Sequence, residues 1–245
     1  MKTSDKDCLV LAIKIAEGMM RSGGETYRAE ECCIKVLEAC GASNISVIAL
    51  PTALLASAEI DGEHRTESAS IKSRGMDLDG IARYNSISRR LVSGEIGVDE
   101  AFAELEQKKK ESAWLSCVLT AFAAGFFAFV FGGTAIDFLP TLIAALLAQV
   151  FRHFASKLSH YGFLSVLGSC IIIGVCARGA VALLPTCSQE AIIVGGIIYL
   201  VPGLALTNAV RDTLNGDLVS GVARFADAMI TAIVIAAGIA IALSL

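Results

Sequence analysis

The chain has 245 residues, 55% hydrophobic and 18% charged, with a positive mean hydropathy. That is too apolar for an ordinary soluble domain. A formal net charge of −4 leaves no basic excess, so the electrostatic footprint of nucleic-acid binding is missing.

The average conceals a split: residues 1–111 hold 15 Lys and Arg and 19 Asp and Glu, whereas residues 112–245 hold 5 of each sign. We expect a cytoplasmic α+β domain over 1–111 and an α-helical transmembrane domain over 112–245, joined near Gln107 to Glu111. Asp5, Lys6, Asp7, Lys14 and Glu17 interrupt any apolar core of a cleavable signal, which keeps the amino terminus in the cytoplasm. The eight cysteines form no CxxC pair and no histidine lies at ligand spacing, so they read as small buried hydrophobes in a reducing compartment, with no metal and no cofactor.

In chain order, an amphipathic helix near Cys8 to Arg21 leads into SGGETYRAE, Ser22 to Glu30. Gly23 or Gly24 can end that helix in a left-handed conformation, and Thr26 or a neighbour can start the next, which runs to Cys40 and stops at Gly41. The stretch is then punctuation between helices, or Glu25, Tyr27 and Arg28 form a polar site at a helix amino terminus. Capping explains the Ser, Gly and Thr; it does not explain Glu, Tyr and Arg together. Two or three short strands come next across 44–71, with Asp61-Gly62 as a hairpin turn. Helices are then expected at about Asp77 to Val92 and Val98 to Lys109. No nucleophile-base pair or phosphate-cradling glycine loop is visible, which points away from an enzyme.

Five apolar segments lie at roughly 114–132, 136–151, 161–184, 190–206 and 222–245, the second and fourth short against the ~20 residues that cross a bilayer. Lys108, Lys109 and Lys110, then Arg152 and Lys157, then Arg211 and Arg224 mark alternate connections as cytoplasmic, leaving Leu245 outside. Small residues at 125, 168, 174, 195 and 196, with Ala232, Ala236 and Ala240 at four-residue spacing, read as helix-to-helix interface. Arg178, inside an apolar run, needs a buried partner, a water-filled path or a route to the interface.

The most polar membrane-half stretch is VPGLALTNAVRDTLNGDLVSG, Val201 to Gly221. Pro202 donates no backbone hydrogen bond and Gly203 eases a bend, so the fourth helix is expected to break there. Transporters use broken helices to offer freed backbone groups to a substrate. Beyond the break Arg211 can meet an anion, and Asp212, Asp217 and Asp227 can meet a cation or carry a proton. Arg224 and Asp227, three apart, can pair. The same residues would also serve a solvated loop with a helix cap at Asn215 to Asp217.

Together SGGETYRAE, PTALL after a strand, NSISRRLVSGEIGVDEAFAELE and PGLALTNAVRDTLNGDLVSGVARFADA resemble the threonine/serine exporter family, in particular the larger subunit of its split two-component type. The resemblance implies an inner-membrane secondary exporter, driven by an ion gradient, that moves small amino acids; related two-subunit members export dicarboxylates such as succinate. It implies a separate small membrane subunit as partner, with oligomers open, and it points to Glu25, Tyr27 and Arg28 and to Pro202, Gly203, Asn208, Arg211, Asp212, Gly216, Asp217, Arg224 and Asp227 for substrate binding or gating. Gly24 stands where the family pattern leads us to expect Ala. The rival expectation is a membrane-anchored regulatory or hydrolytic protein whose soluble domain does the work, and a weaker one is a homo-oligomeric channel.

Overall fold

The computed structural model describes residues 5–72, 75–107, 112–158 and 162–245. Lys108, Lys109 and Lys110, on which part of the orientation argument stands, lie outside the described residues, and so does the side chain of Lys157. The chain divides into two compact units: residues 1–109 with 204–226, and residues 110–203 with 227–245. The first unit is discontinuous in sequence, unlike the single boundary at 111/112 expected from charge.

The first unit opens with α1 (Asp5–Arg21) and α2 (Thr26–Ala39), succeeded by β1 (Ser43–Leu50), β2 (Ala53–Ile60) and β3 (Glu63–Ser70). The strands form an antiparallel meander in the order β1-β2-β3. Asp61 and Gly62 both take positive φ, 52° and 79°, the conformation a two-residue type I′ hairpin demands. Along β2 the alternation of side chains sends Leu54, Ala56, Ala58 and Ile60 into the core. There they meet Leu11, Ile15, Met19 and Met20 of α1 and Val36 and Leu37 of α2. Next come α3 (Leu78–Val92), capped by Asp77, whose carboxylate accepts from Gly80 N at 2.8 Å, and α4 (Val98–Glu106). The helix ends at Glu106 with Gln107 as its C-cap; Lys108 and Lys109, to which it was expected to run, lie outside the described residues.

The second unit holds α5 (Ala113–Val130), α6 (Ala135–Leu158), α7 (Gly162–Leu183) and α8 (Gln189–Ile197), the last continued by one 3-10 turn, Ile198–Leu200. Chain continuity then leads through Val201 and Pro202 into α9 (Gly203–Leu214) and α10 (Leu218–Ser244). The helix does break at Pro202. Beyond the break, however, the chain forms no loop, because residues 203–214 are helical. Three helices are long and apolar enough to cross a membrane, Ala135–Ala155, Gly162–Leu183 and Leu218–Ser244; Gln189–Leu200 with Gly203–Leu214 makes a fourth if that bent pair is one span, and Trp114–Val130 is a shorter apolar helix.

Large apolar side chains on these helices, among them Phe126, Val130, Leu139, Phe154, Ile230 and Ile233, are exposed, as a lipid-facing surface requires and a water-facing one does not tolerate. Small residues allow close packing inside the second unit. A Cβ on Gly195 would sit 2.9 Å from Ala128 N, and one on Gly238 would lie 2.9 Å from the Leu167 carbonyl. Ala232, Ala236 and Ala240 differ from that expectation: they border an apolar groove with Ile193, Ile197 and Ile235. Arg178 donates to the carbonyl of Leu243 at 2.6 Å, so its charge meets the carbonyl end of α10, where a cation is favoured.

Candidate functional site: a buried ionic cluster on residues 22–28 and 204–226

The turn from α1 to α2 shapes the site. Gly23 has φ +88°, a conformation L side chains resist. Gly23 N and Gly24 N bond back to the carbonyls of Met20 and Met19 at 3.1 and 2.9 Å, ending α1. A Cβ on Gly24 would lie 2.9 Å from the Met19 carbonyl oxygen. Glycine at 24 is therefore fitted to a close backbone approach here. The turn leaves the carbonyls of Gly23 and Gly24, and the first amides of α2, without helical partners.

The α9 and α10 residues of the same unit supply those partners. Asn208 Nδ2 donates to the Gly23 carbonyl at 3.0 Å, and Arg224 Nη2 donates to the Gly24 carbonyl at 2.7 Å. Thr26 N and Oγ1 donate to Asp212 Oδ1 and Oδ2 at 3.2 and 3.3 Å. Asp212 thus caps α2 from 186 residues away, placing a carboxylate where the helix dipole favours one. Arg224 completes the cluster: its Nε lies 2.8 Å from Asp212 Oδ2, and its Nη2 donates to Thr26 Oγ1 at 3.2 Å. Both charges are out of solvent, Asp212 at 0% and Arg224 at 7% exposure. Such a pair persists because each charge would be far costlier alone.

A second ion pair lies at the rim. Arg211 Nη1 donates to Glu25 Oε1 at 2.7 Å, and Arg28 Nη1 donates to Glu25 Oε2 at 3.3 Å. The Glu25 side chain is 7% exposed, that of Arg211 56%. Burial alone would raise the Glu25 pKa, but the Arg211 hydrogen bond, its own backbone amide and Arg28 outweigh it, so the carboxyl is held below its ordinary value of 4.5. The cluster can therefore keep one carboxylate charged against an accessible guanidinium.

The two polar motifs are thus brought into one cluster, with several differences from expectation. Arg224 pairs with Asp212, and Asp227 is exposed with no ion pair among the described residues. Asp217 is the N-cap of α10, its carbonyl accepting from Gly221 N at 2.9 Å, and its buried Oδ2 has no hydrogen bond among the described residues. Gly216, at φ +93°, makes the turn after α9. Pro202 and Gly203 mark the helix break and contribute no side-chain group to the cluster. Tyr27 is half-buried and makes no side-chain hydrogen bond among the described residues. Sequence reasoning missed Thr26 as a link, because a threonine at a helix start is explained by capping, and it missed Glu30. Burial raises the Glu30 pKa and the nearby Asp217 charge raises it further, against a backbone hydrogen bond from Ala49 that lowers it.

Long exposed apolar helices joined in one chain to a buried ionic cluster define a helical membrane protein with a polar site. The chain belongs to the family described as "Putative threonine/serine exporter", whose model matches residues 10–245. It is 28% identical over 250 residues to a "Probable threonine/serine exporter" of Mycobacterium tuberculosis, covering 96% of this chain and 45% of that protein. It is 26% identical over 244 residues to "Pheromone-regulated membrane protein 10" of Pichia sorbitophila, covering 94% of this chain and 24% of that protein. It is also 22% identical over 252 residues to "Probable succinate transporter subunit YjjP" of Klebsiella aerogenes, covering 100% of this chain and 96% of that protein. The chain spans less than half the length of the first two of these relatives. No solved structure matches it.

Proposed function

We propose that this chain is one subunit of an inner-membrane secondary exporter that moves small amino acids, threonine and serine, out of the cell on an ion gradient, together with a small membrane subunit. The observation that carries the reading is the Arg211–Glu25 pair, 2.7 Å long, in which an accessible guanidinium holds a carboxylate. In this reading Glu25 occupies the place of the substrate carboxylate. Export begins when residues 22–28 release Arg211, the substrate carboxylate takes the guanidinium, and Asp217 meets the amine or a coupling proton. The buried Asp212–Arg224 pair stays closed and fixes the geometry around it.

Five spans are part of the proposal: the three long helices, the bent pair counted as one, and α5, whose apolar run of about 17 residues is the shortest that crosses hydrocarbon. The 27 residues of α10 rise about 40 Å, more than the ~30 Å of hydrocarbon, so its first turns with Arg224 can stand in the headgroup region. With five spans the termini lie on opposite sides, and in this reading the placement of Lys and Arg puts the amino terminus in the cytoplasm and Leu245 outside. A dicarboxylate such as succinate is the second substrate reading, favoured by the relative named as a succinate transporter subunit, which this chain matches nearly end to end.

The test is efflux from cells loaded with labelled threonine or labelled succinate, with this chain expressed alone and with its small partner. Partner-dependent loss of one label, with Arg211→Ala raising the half-saturating concentration at least about tenfold, a loss of roughly 1.4 kcal/mol of binding, is the expected result. Saturation unchanged by Arg211→Ala would remove the carboxylate assignment. Loss of neither label would move the function to the soluble part of the chain.

A further inference from the structure

A cavity of about 480 Å³ opens between α2 and α3, away from the cluster's buried pair. Its wall carries Arg28, Lys35 and Arg89 against a single carboxylate, Glu31, which Lys35 engages at 2.5 Å. This is a local reversal of sign, since the first 111 residues carry more acid than base. Arg89 is exposed and has no ion pair among the described residues; Asn85, beside it on the wall, has no side-chain hydrogen bond among them. Ser88 is 5% exposed and lines the floor with Cys32. Lys35 is offset by Glu31 and Arg28 by Glu25, which leaves the Arg89 guanidinium as the cation on this wall with no carboxylate partner among the described residues. Like charges brought together cost energy unless an anion offsets them, and a guanidinium fork with a neighbouring amide matches the geometry of an oxyanion.

We infer that this hollow binds a small phosphate- or carboxylate-bearing metabolite, gripped by Arg89, Asn85, Lys35 and Arg28, and that its occupancy is communicated to Glu25. Arg28 belongs to both places: it lines the hollow, and its Nη1 lies 3.3 Å from Glu25 Oε2. An anion that draws Arg28 into the hollow removes one of the two cations on Glu25 and leaves Arg211 to hold it. The volume suits a compact metabolite and the open, charged wall excludes an apolar one. The site does not depend on what the membrane helices transport.

The experiment is calorimetric titration of the purified full chain in detergent with pyrophosphate and, separately, with succinate. We expect one of them to bind saturably, with Arg89→Ala and Asn85→Ala each weakening it about tenfold or more, and Lys72→Ala, which removes an exposed cation elsewhere, leaving it within about twofold. Amide exchange across residues 22–28 should change on saturation. Absence of binding by both probes to about 10 mM, near the weak limit of a specific site, would overturn the proposal. So would equal weakening by Arg89→Ala and Lys72→Ala. Succinate binding lost in Arg211→Ala but kept in Arg89→Ala would also overturn it while favouring the transport reading, and unchanged exchange at 22–28 would overturn the link to Glu25.

Discussion

At the scale of single residues, the energetics of the cluster rest on Asp212 and Arg224. Removing either partner leaves a buried charge alone, so Asp212→Ala or Arg224→Ala should each cost about 3–5 kcal/mol. Replacing both by apolar residues of similar size should cost much less. Denaturant unfolding of the four proteins, read as a double-mutant cycle, checks this; additive losses would mean the pair is not coupled. Glu25 carries a pH signature. Its pKa is lowered on folding, so the stability it contributes is fully present above its ordinary value of 4.5 and is lost as pH falls through the folded value. As the pH is taken from neutral down through that range, the wild-type chain should therefore lose stability faster than Glu25→Gln. Glu30 has the opposite sign: its pKa is raised, so its contribution is present at low pH and lost as pH rises. Glu30→Gln should accordingly flatten the neutral side of the same profile.

At the scale of elements, the approach of α9 to α10 turns on Gly221. A Cβ there would run into Thr213 Oγ1 and fall 3.0 Å from the Ala209 carbonyl. Thr213 can turn away but the carbonyl cannot, and any displacement of α9 shifts Asp212 relative to Arg224. Gly221→Val should thus destabilise the first unit by an amount typical of overpacking, about 1–3 kcal/mol, visible as a lowered unfolding midpoint, whereas the same change at exposed Gly97, where a Cβ meets nothing within 4 Å, should cost less. The elements themselves were largely legible in the sequence. The helix near Cys8 to Arg21, the Asp61-Gly62 hairpin, the Asp77 start of α3 and the break at Pro202 all carry local signatures of capping, turn chemistry or a missing donor. Residues 203–214 were less legible, because Asn, Arg, Asp and Thr in quick succession resemble a loop until their polar face finds partners.

For the whole molecule, the first unit draws residues 204–226 into company with 1–109. Its buried apolar cluster lies within residues 9–101, with Phe102 and Leu105 packed against it, so a fragment of residues 1–109 should fold. It would lack Asp212, Arg224 and Asn208, leaving the amides of α2 and the carbonyls of Gly23 and Gly24 to water. Amide exchange across residues 22–28 should therefore be faster in the fragment than in the full chain, and equal rates would show that the cluster does not order that turn. Its membrane character was also legible, since apolar run length and charge placement are additive along the chain; the family was legible only through the resemblance of motifs such as SGGETYRAE and PGLALTNAVRDTLNGDLVSG.

The sequence by itself determined the helices and hairpin, the apolar character of the second half, the helix break and the residues of both polar motifs, because each depends on neighbours within a few positions. Only the tertiary structure decided that Arg224 pairs with Asp212, that Arg211 holds Glu25 and that Asp212 caps α2. Apart from the Arg224–Asp212 pair within one helix hairpin, those bonds join residues 186 or more apart. No local period encodes them; they form because helix-end amides, carbonyls and charges buried together must satisfy one another.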